Sequence, residues 1–364
     1  MEKLLRPDSV DSTAEDSSQR EVQFEYSRDL AQVLEQAGIS LLVTTYQAGK
    51  IALLSSHTEK LALSFHNFDR PMGVAISDDA ETLAVAGRNS VWILRNARDV
   101  AQQLAPQGGH SSCFLTRRAH FTGEIQAHEM EWVGGELWIV NTLFSCLCKV
   151  HDDFSFVPTW QPSFISELKA EDRCHLNGLA LEDGAPKYAT AMAETDSAGG
   201  WRENKSETGC LIDIASSEVV AHGFAMPHSP RVYAGQVWLL DSGRGALVRV
   251  DPSNGQWESV ARFPGYTRGL AMIGPLAFIG LSKIRETSTF GGVPIAEDRE
   301  RLKCGVAVVD MRSASLVGQF EFTSGVDEVF DVTALPGRGI TTMRGPYSQQ
   351  DGDSAIWTVP SEAD

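Results

Sequence analysis

The sequence predicts an all-β chain closed into a ring of blades, a β-propeller, and three observations carry that expectation. The first is a repeat. Residues 128–142 (HEMEWVGGELWIVNT) and 228–242 (HSPRVYAGQVWLLDS) align without a gap, sharing a leading His, a Gly at 135 and 235, and a Trp at 138 and 238. Each copy reads as a short strand, a Gly-bearing turn and a second strand of branched and aromatic residues, which is the pattern of a β-hairpin. The second is a signal that returns six times, a polar cluster opening a short apolar strand: RPMGVAI (70–76), HEMEW (128–132), HLNGLAL (175–181), HSPRVY (228–233), TRGLAM (267–272) and VFDVTAL (329–335). The third is that two or three further strands follow each signal, in a regular unit that a flat β-sandwich does not require.

In chain order, residues 1–25 read as a disordered polar tail and 26–39 as a short helix, with Ser27 able to cap it and Gly38 to stop it. SLLVTTYQAGKIALLSS (40–56) is a hairpin turning at Ala48–Gly49, and LALSFHNF (61–68) adds a third strand. This block completes the blade that VFDVTAL begins, so strands from both ends of the chain share one blade and close the ring, which removes exposed sheet edges. The result is a single domain over 40–360 with six blades favoured. GITTM (339–343) and AIWTV (355–359) are left over, and they are the material from which a seventh blade would be built.

The 364 residues are 42% hydrophobic and 22% charged, an ordinary globular composition. A net charge of −17, with no block of Lys or Arg to offset it, argues against nucleic acid or an anionic membrane as partner. No apolar run approaches the ~20 residues of a spanning helix, and the N-terminal residues lack the apolar core of a signal peptide. The six cysteines form no CxxC pair, which fits small apolar residues in a reducing compartment. A cytoplasmic protein is expected.

SLLVTTYQAGK and FDRPMGVAI resemble an uncharacterised bacterial conserved-hypothetical β-propeller family over about residues 40–340. HLNGLAL, with Asn177 before Gly178, more distantly resembles the Asn-Gly step of gluconolactonase-like and strictosidine-synthase-like six-bladed propellers. In the lactonase group that Asn helps to hold a divalent metal in the central tunnel, so the resemblance implies a metal near Asn177. The sequence departs from that group in lacking an equivalent of its N-terminal Glu ligand, and Asp241 is a loose stand-in for its Asp. The resemblance bears on fold more than on activity, because propellers host unrelated chemistries.

In a propeller the loops leading into the innermost strands open on one face, so side chains there converge on the axis. Those positions offer Arg70, His128, Glu129, His175, Asn177, His228, Ser229, Arg268, Asp327, Glu328 and Asp331. Three neutral imidazoles, His128, His175 and His228, on adjacent blades suit a divalent metal with an open position. The same three with Glu129 suit metal-free acid–base catalysis. A third reading is that these groups merely satisfy neighbouring backbone. Arg70, Asn177, Arg268 and Asp331 are the expected substrate-binding groups. Two long insertions on the same face, 193–209 and 282–305, would add Trp201, Arg202, Lys283, Arg285 and Phe290 as a cover.

Two function classes follow. One is a small-molecule enzyme at the tunnel mouth, of hydrolase, lyase, isomerase or cyclase type, using His, Glu and Arg and metal-assisted in one version. The other is a non-catalytic propeller that binds a metabolite or a protein partner. Arginines at the mouth of so acidic a protein point to a substrate with an anionic or hydrogen-bonding group. The competing account has Arg70 paired with Asp69 or Asp331, and Arg268 with Glu328.

Overall fold

Short runs of branched and aromatic residues, cut by turns at left-handed glycines such as Gly135 (φ 84°) and Gly235 (φ 72°), fold into successive antiparallel hairpins. A computed structural model describes residues 3–5, 21–284 and 291–360. The hairpins assemble into six blades around an axis. The innermost strands are Val74–Ile76, Ala127–Val133, Leu176–Glu182, Pro227–Tyr233, Tyr266–Ile273 and Asp331–Pro336, one from each of the six sequence signals.

Blade 6 is the shared one. Asp331–Pro336 pairs antiparallel with Ile39–Thr45, which is followed by Lys50–His57 and Lys60–Asn67. The leftover C-terminal strands build no seventh blade. Ile340–Arg344 runs parallel to His110–Phe121 as a fifth, outer strand of blade 1, and Trp357–Val359 pairs with Lys3–Leu5.

The N-terminal expectation needs correction. The helix is confined to Leu30–Ala37, ended by Gly38 in the left-handed conformation, while Gln23–Tyr26 is a strand on the outer edge of blade 5 beside Ser315–Ser324. Ser27 caps nothing. Its Oγ accepts from the Gln319 amide and prolongs that edge pairing. Phe24 stacks on Phe320 with ring centroids 5.5 Å apart, so apolar contact and an open edge outweigh local helix preference here. The disordered tail expected over residues 1–25 is thus contradicted at Lys3–Leu5 and Gln23–Tyr26, which are strands, and residues 6–20 lie outside the described residues.

Each strand sends alternate side chains to its two neighbouring blades, so the core is divided among the six blade interfaces. In blade 6, Leu41 and Val43 pack with Phe278, Val306 and Val308 of blade 5, whereas Leu42 packs with Val74, Leu83 and Val85 of blade 1. Cys146 and Cys148 share the face toward blade 1, and Leu147 between them faces blade 3. All six cysteines are free and buried. No described helix is long and apolar enough to cross a membrane.

An odd–even pattern knits the innermost strands. On blades 2, 4 and 6 the side chains of Glu129, Ser229 and Asp331 accept hydrogen bonds from the amides of Leu179, Gly269 and Val74 on the next blade, at 2.8, 3.2 and 3.0 Å. On blades 1, 3 and 5 a glycine permits close approach in the same direction. A Cβ on Gly73, Gly178 or Gly269 would lie 2.4, 2.3 or 2.4 Å from His128 O, Pro230 Cδ or Val332 N. The Asn177–Gly178 step thus has a steric cause independent of any metal.

Candidate functional site

Four innermost strands lose their register at the same place, near their openings: between Ala127 and Met130, Leu176 and Gly178, His228 and Arg231, and Thr267 and Leu270. Such bulges interrupt the in–out alternation and re-aim side chains. The residues in or beside them are His128, Glu129, Asn177, Ser229 and Arg268.

The three histidines come together. The His128 ring centroid is 4.9 Å from that of His175 and 6.4 Å from that of His228. Each is held through Nδ1, by the same device in the two repeat copies. His128 Nδ1 lies 3.1 Å from the Gln126 carbonyl and 2.8 Å from Thr142 Oγ1. His228 Nδ1 lies 3.0 Å from the Met226 carbonyl and 2.9 Å from Ser242 Oγ. Gln126 and Met226 are left-handed (φ 54° each), which turns their carbonyls toward the rings. His175 Nδ1 is 3.0 Å from both carboxylate oxygens of Asp172.

A carbonyl or carboxylate can only accept, so all three Nδ1 atoms carry the proton. In the neutral rings the lone pair is then on Nε2, the opposite side of the imidazole. His228 Nε2 is buried without a hydrogen-bond partner. Burial first, and then the charge of Arg268, hold His128 and His228 well below the ordinary 6.5, so both are neutral near pH 7.

Arg268 is 5% exposed and lies over the Phe330 ring, 3.3 Å from its centroid. Its ion pair with Glu328 is loose, at 3.8 Å, and Nη2 is buried without a hydrogen-bond partner. Phe330 also contacts His128, at 5.2 Å between centroids. The pairing with Glu328 read from the sequence therefore exists but leaves part of the guanidinium unanswered. Tyr266 packs edge-on against His228 at 5.8 Å, and burial raises its phenol above the usual range.

The insertions cap this group. Trp201 is buried against His175, with centroids 4.3 Å apart, and its Nε1 donates to Asp172 at 2.9 Å. It packs with Met192, Met226, Tyr266, Ile284, Val293 and Leu302, which joins the two insertions over the mouth. Arg202 pairs with Asp172 at 3.5 Å. Arg285 and Phe290 lie outside the described residues.

Other expected site residues have different occupations. Arg70 is at the rim, 3.6 Å from Glu124 and 3.4 Å from Tyr46 Oη, rather than beside Asp331; Arg88 takes Asp69 at 3.1 Å. Asn177 accepts from Thr190 at 2.7 Å, and Asp241 accepts from the Ala225 amide at 2.6 Å and pairs with Arg244 at 2.8 Å. Glu129 and Asp331 brace neighbouring blades, and Glu129 also meets Arg231 at 3.3 Å. Thr142, Ser242, Asp172, Tyr266 and Phe330 were not assigned roles from sequence. For the first two the signal was present, since the aligned repeat begins with His and ends with Thr or Ser.

A shared metal fits this arrangement poorly. Among the described residues the three histidines do not bring one nitrogen each within 4.8 Å of one another, a condition met only by a different group. The charge that acts most strongly on His128 and His228 is that of Arg268, which repels a cation.

Below the histidines one arginine, Arg231, serves three carboxylates. Burial, with neighbouring Glu129, pushes Asp331 up to about 7, and burial pushes Glu131 up to about 7 despite Arg231. A carboxyl with a raised pKa in the folded state contributes stability that is present below its unfolded pKa and lost as pH rises through about 7. Glu131→Gln is therefore expected to melt above wild type at pH 8, the difference closing toward pH 4.5. A lower melting temperature at pH 8 in scanning fluorimetry would contradict this.

Among curated proteins no sequence matches this chain. Its fold is similar to a chain in the crystal structure of a nidogen/laminin complex, at 10% identity and TM-score 0.53, covering 82% of this chain and 98% of that one. It is similar also to a protein of unknown function from Bacteroides caccae, at 9% identity and TM-score 0.50, covering 82% and 99%. A weaker likeness, at 12% identity and TM-score 0.39 over 65% of this chain and 71% of the other, is to a catalytically inactive virginiamycin B lyase from Staphylococcus aureus with quinupristin. These likenesses concern the fold alone. The family model described as a domain of unknown function, DUF4915, matches residues 28–343, and the chain belongs to that family.

Proposed function

We propose that the protein is a small-molecule enzyme that binds an anionic substrate at the tunnel mouth and moves a proton with neutral histidine. The observation that carries this reading is Arg268, a buried guanidinium with a loose carboxylate partner and an unpartnered Nη2. A carboxylate or similar oxyanion supplies what that group lacks. The bound anion also offsets the Arg268 charge that depresses His128 and His228, so substrate raises the basicity of the imidazoles that act on it. Nε2 of His128 or His228 then takes a proton from the substrate and returns it. Trp201 and Asp172 hold the His175 ring in place and act as positioning groups.

The test uses a panel of 2-oxo, 2-hydroxy and dicarboxylic acids, screened by thermal shift and by proton NMR for deuterium incorporation in D2O. The expected result is a subset that raises the melting temperature and exchanges carbon-bound hydrogen with wild type but not with the His128→Ala/His228→Ala double variant. Binding without exchange would replace the enzyme with the non-catalytic binder. No binding by any acid would remove the anion site.

A further inference from the structure

On blade 6 the C-terminal segment folds back onto the outermost strand, Lys60–Asn67. The segment makes a 3-10 turn at Ser348–Asp351, and Gly352 follows in the left-handed conformation (φ 75°). The Asp353 amide returns to the Ser348 carbonyl at 3.2 Å, which brings Asp351 and Asp353 to one place.

There they meet His66. One ligand atom from each of His66, Asp351 and Asp353 lies within 4.8 Å of the others. His66 is 2% exposed, and its Nδ1 faces Asp351 Oδ2 at 3.8 Å. That distance is too long for a hydrogen bond. Both atoms are buried with no hydrogen-bond partner. Two buried polar atoms left unanswered and facing each other are costly, and a group between them would answer both.

The surroundings hold the two side chains in a ligating pose. Asp351 Oδ1 accepts from the Asn67 amide at 2.8 Å and from Asn67 Nδ2 at 2.5 Å, which leaves Oδ2 turned to His66. His66 Nε2 is 3.0 Å from Ser64 Oγ. If Nε2 donates there, Nδ1 presents its lone pair, the usual outer-shell arrangement for a metal-bound imidazole. Arg344 meets Asp353 at 3.2 Å and balances part of the acidic charge.

We infer that His66, Asp351 and Asp353 form a binding site for a divalent transition ion, Zn2+ foremost, which clasps the C-terminal segment to blade 6. One imidazole and two carboxylates suit Zn2+, with water completing the coordination. Two ligands about 2.1 Å from a tetrahedral ion stand about 3.4 Å apart, so the 3.8 Å separation of Nδ1 and Oδ2 needs only a small side-chain adjustment. The site lies at the end of the strand that continues through Phe68 into Arg70, so the clasp also steadies the rim of the tunnel mouth.

The experiment strips the full-length protein with a chelator and titrates it with Zn2+ by calorimetry, and with Co2+ by visible absorption. One equivalent of Zn2+ should bind and raise the melting temperature, and Co2+ should give the d–d bands of a low-coordinate N/O site. His66→Gln and Asp351→Asn should each weaken Zn2+ at least ~100-fold, as loss of a ligand does. Asp353→Asn, at a partly exposed position, should weaken it at least ~10-fold while keeping the fold, and so remains informative if a buried variant does not fold. Absence of stoichiometric binding by wild type overturns the site, as does binding unchanged in Asp353→Asn. Neither result bears on the Arg268 site, whose test uses organic acids and no metal.

Discussion

Arg268→Ala should weaken anion binding by a factor of about 100 or more, with only a modest fall in melting temperature. Both halves follow from the same geometry. The guanidinium is desolvated, its ion pair with Glu328 spans 3.8 Å, and Nη2 has no hydrogen-bond partner. Removing the guanidinium takes a partner from Glu328 and opens space over Phe330, which lowers stability. A desolvated charge held only by a 3.8 Å ion pair contributes little of its own, which limits that loss. A ligand carboxylate that answers it forms a charge-assisted contact whose loss costs about 2–5 kcal/mol. Burial already lowers the Arg268 pKa, but an arginine so placed remains protonated. Removing its charge also relieves part of the depression of His128 and His228, burial keeping the rest, so their titrations should move upward, readable by NMR of the ring protons. A large fall in melting temperature with anion binding intact would make Arg268 a brace and end the recognition role.

Gly269→Ala is expected to destabilise the protein by about 2–4 kcal/mol, combining left-handed strain of about 1 kcal/mol with overpacking of about 1–3 kcal/mol. Gly269 has φ +81°, and a Cβ there would stand 2.4 Å from Val332 N and 2.8 Å from Asp331 Cα. Those are backbone atoms of the next blade, which cannot rotate away. The shift would also pull the Gly269 amide off Ser229 and displace Arg268 beside it. Gly235→Ala separates the two causes, since Gly235 has φ +72° but nothing within 4 Å of the added carbon. It should lose only the strain component. Urea denaturation of both variants measures the difference, and equal losses would show that close packing of the innermost strands is not what Gly269 secures.

Much of the fold was readable because each innermost strand carries local marks of a non-local duty. It opens at the tunnel mouth, so it begins polar; it packs against a neighbouring strand, so glycines recur at 73, 178 and 269. The blade count followed from those marks, including the blade shared by Ile39–Thr45 and Asp331–Pro336. The gathering of His128, His175 and His228 was legible as polar residues at strand openings, but only His128 and His228 share a repeat position. In blade 3 that position is Asn177, and His175 stands where Gln126 and Met226 do, each with a positive φ. The Nδ1 anchors Thr142 and Ser242 were equally visible in the aligned repeat, but their meaning needed the bond across the hairpin.

The remaining errors share one cause, partners distant in sequence. Gln23–Tyr26 is a strand because blade 5 offers an edge, and Ile340–Arg344 extends blade 1 because His110–Phe121 offers another. Arg70 and Arg268 look alike as residues at the mouth, yet the bulge of blade 5 buries one while the other pairs with Glu124 at the rim. Glu129 and Asp331 resemble catalytic carboxylates until the amides they accept from are known. His66 gains its interest from Asp351 and Asp353, 285 and 287 residues further along the chain (351 − 66 and 353 − 66). By itself the sequence determined the architecture and the face on which polar side chains gather, because burial and turn chemistry repeat with every blade. Only the tertiary structure decided which of those side chains remain unpaired, since pairing depends on contacts between blades that no local pattern encodes.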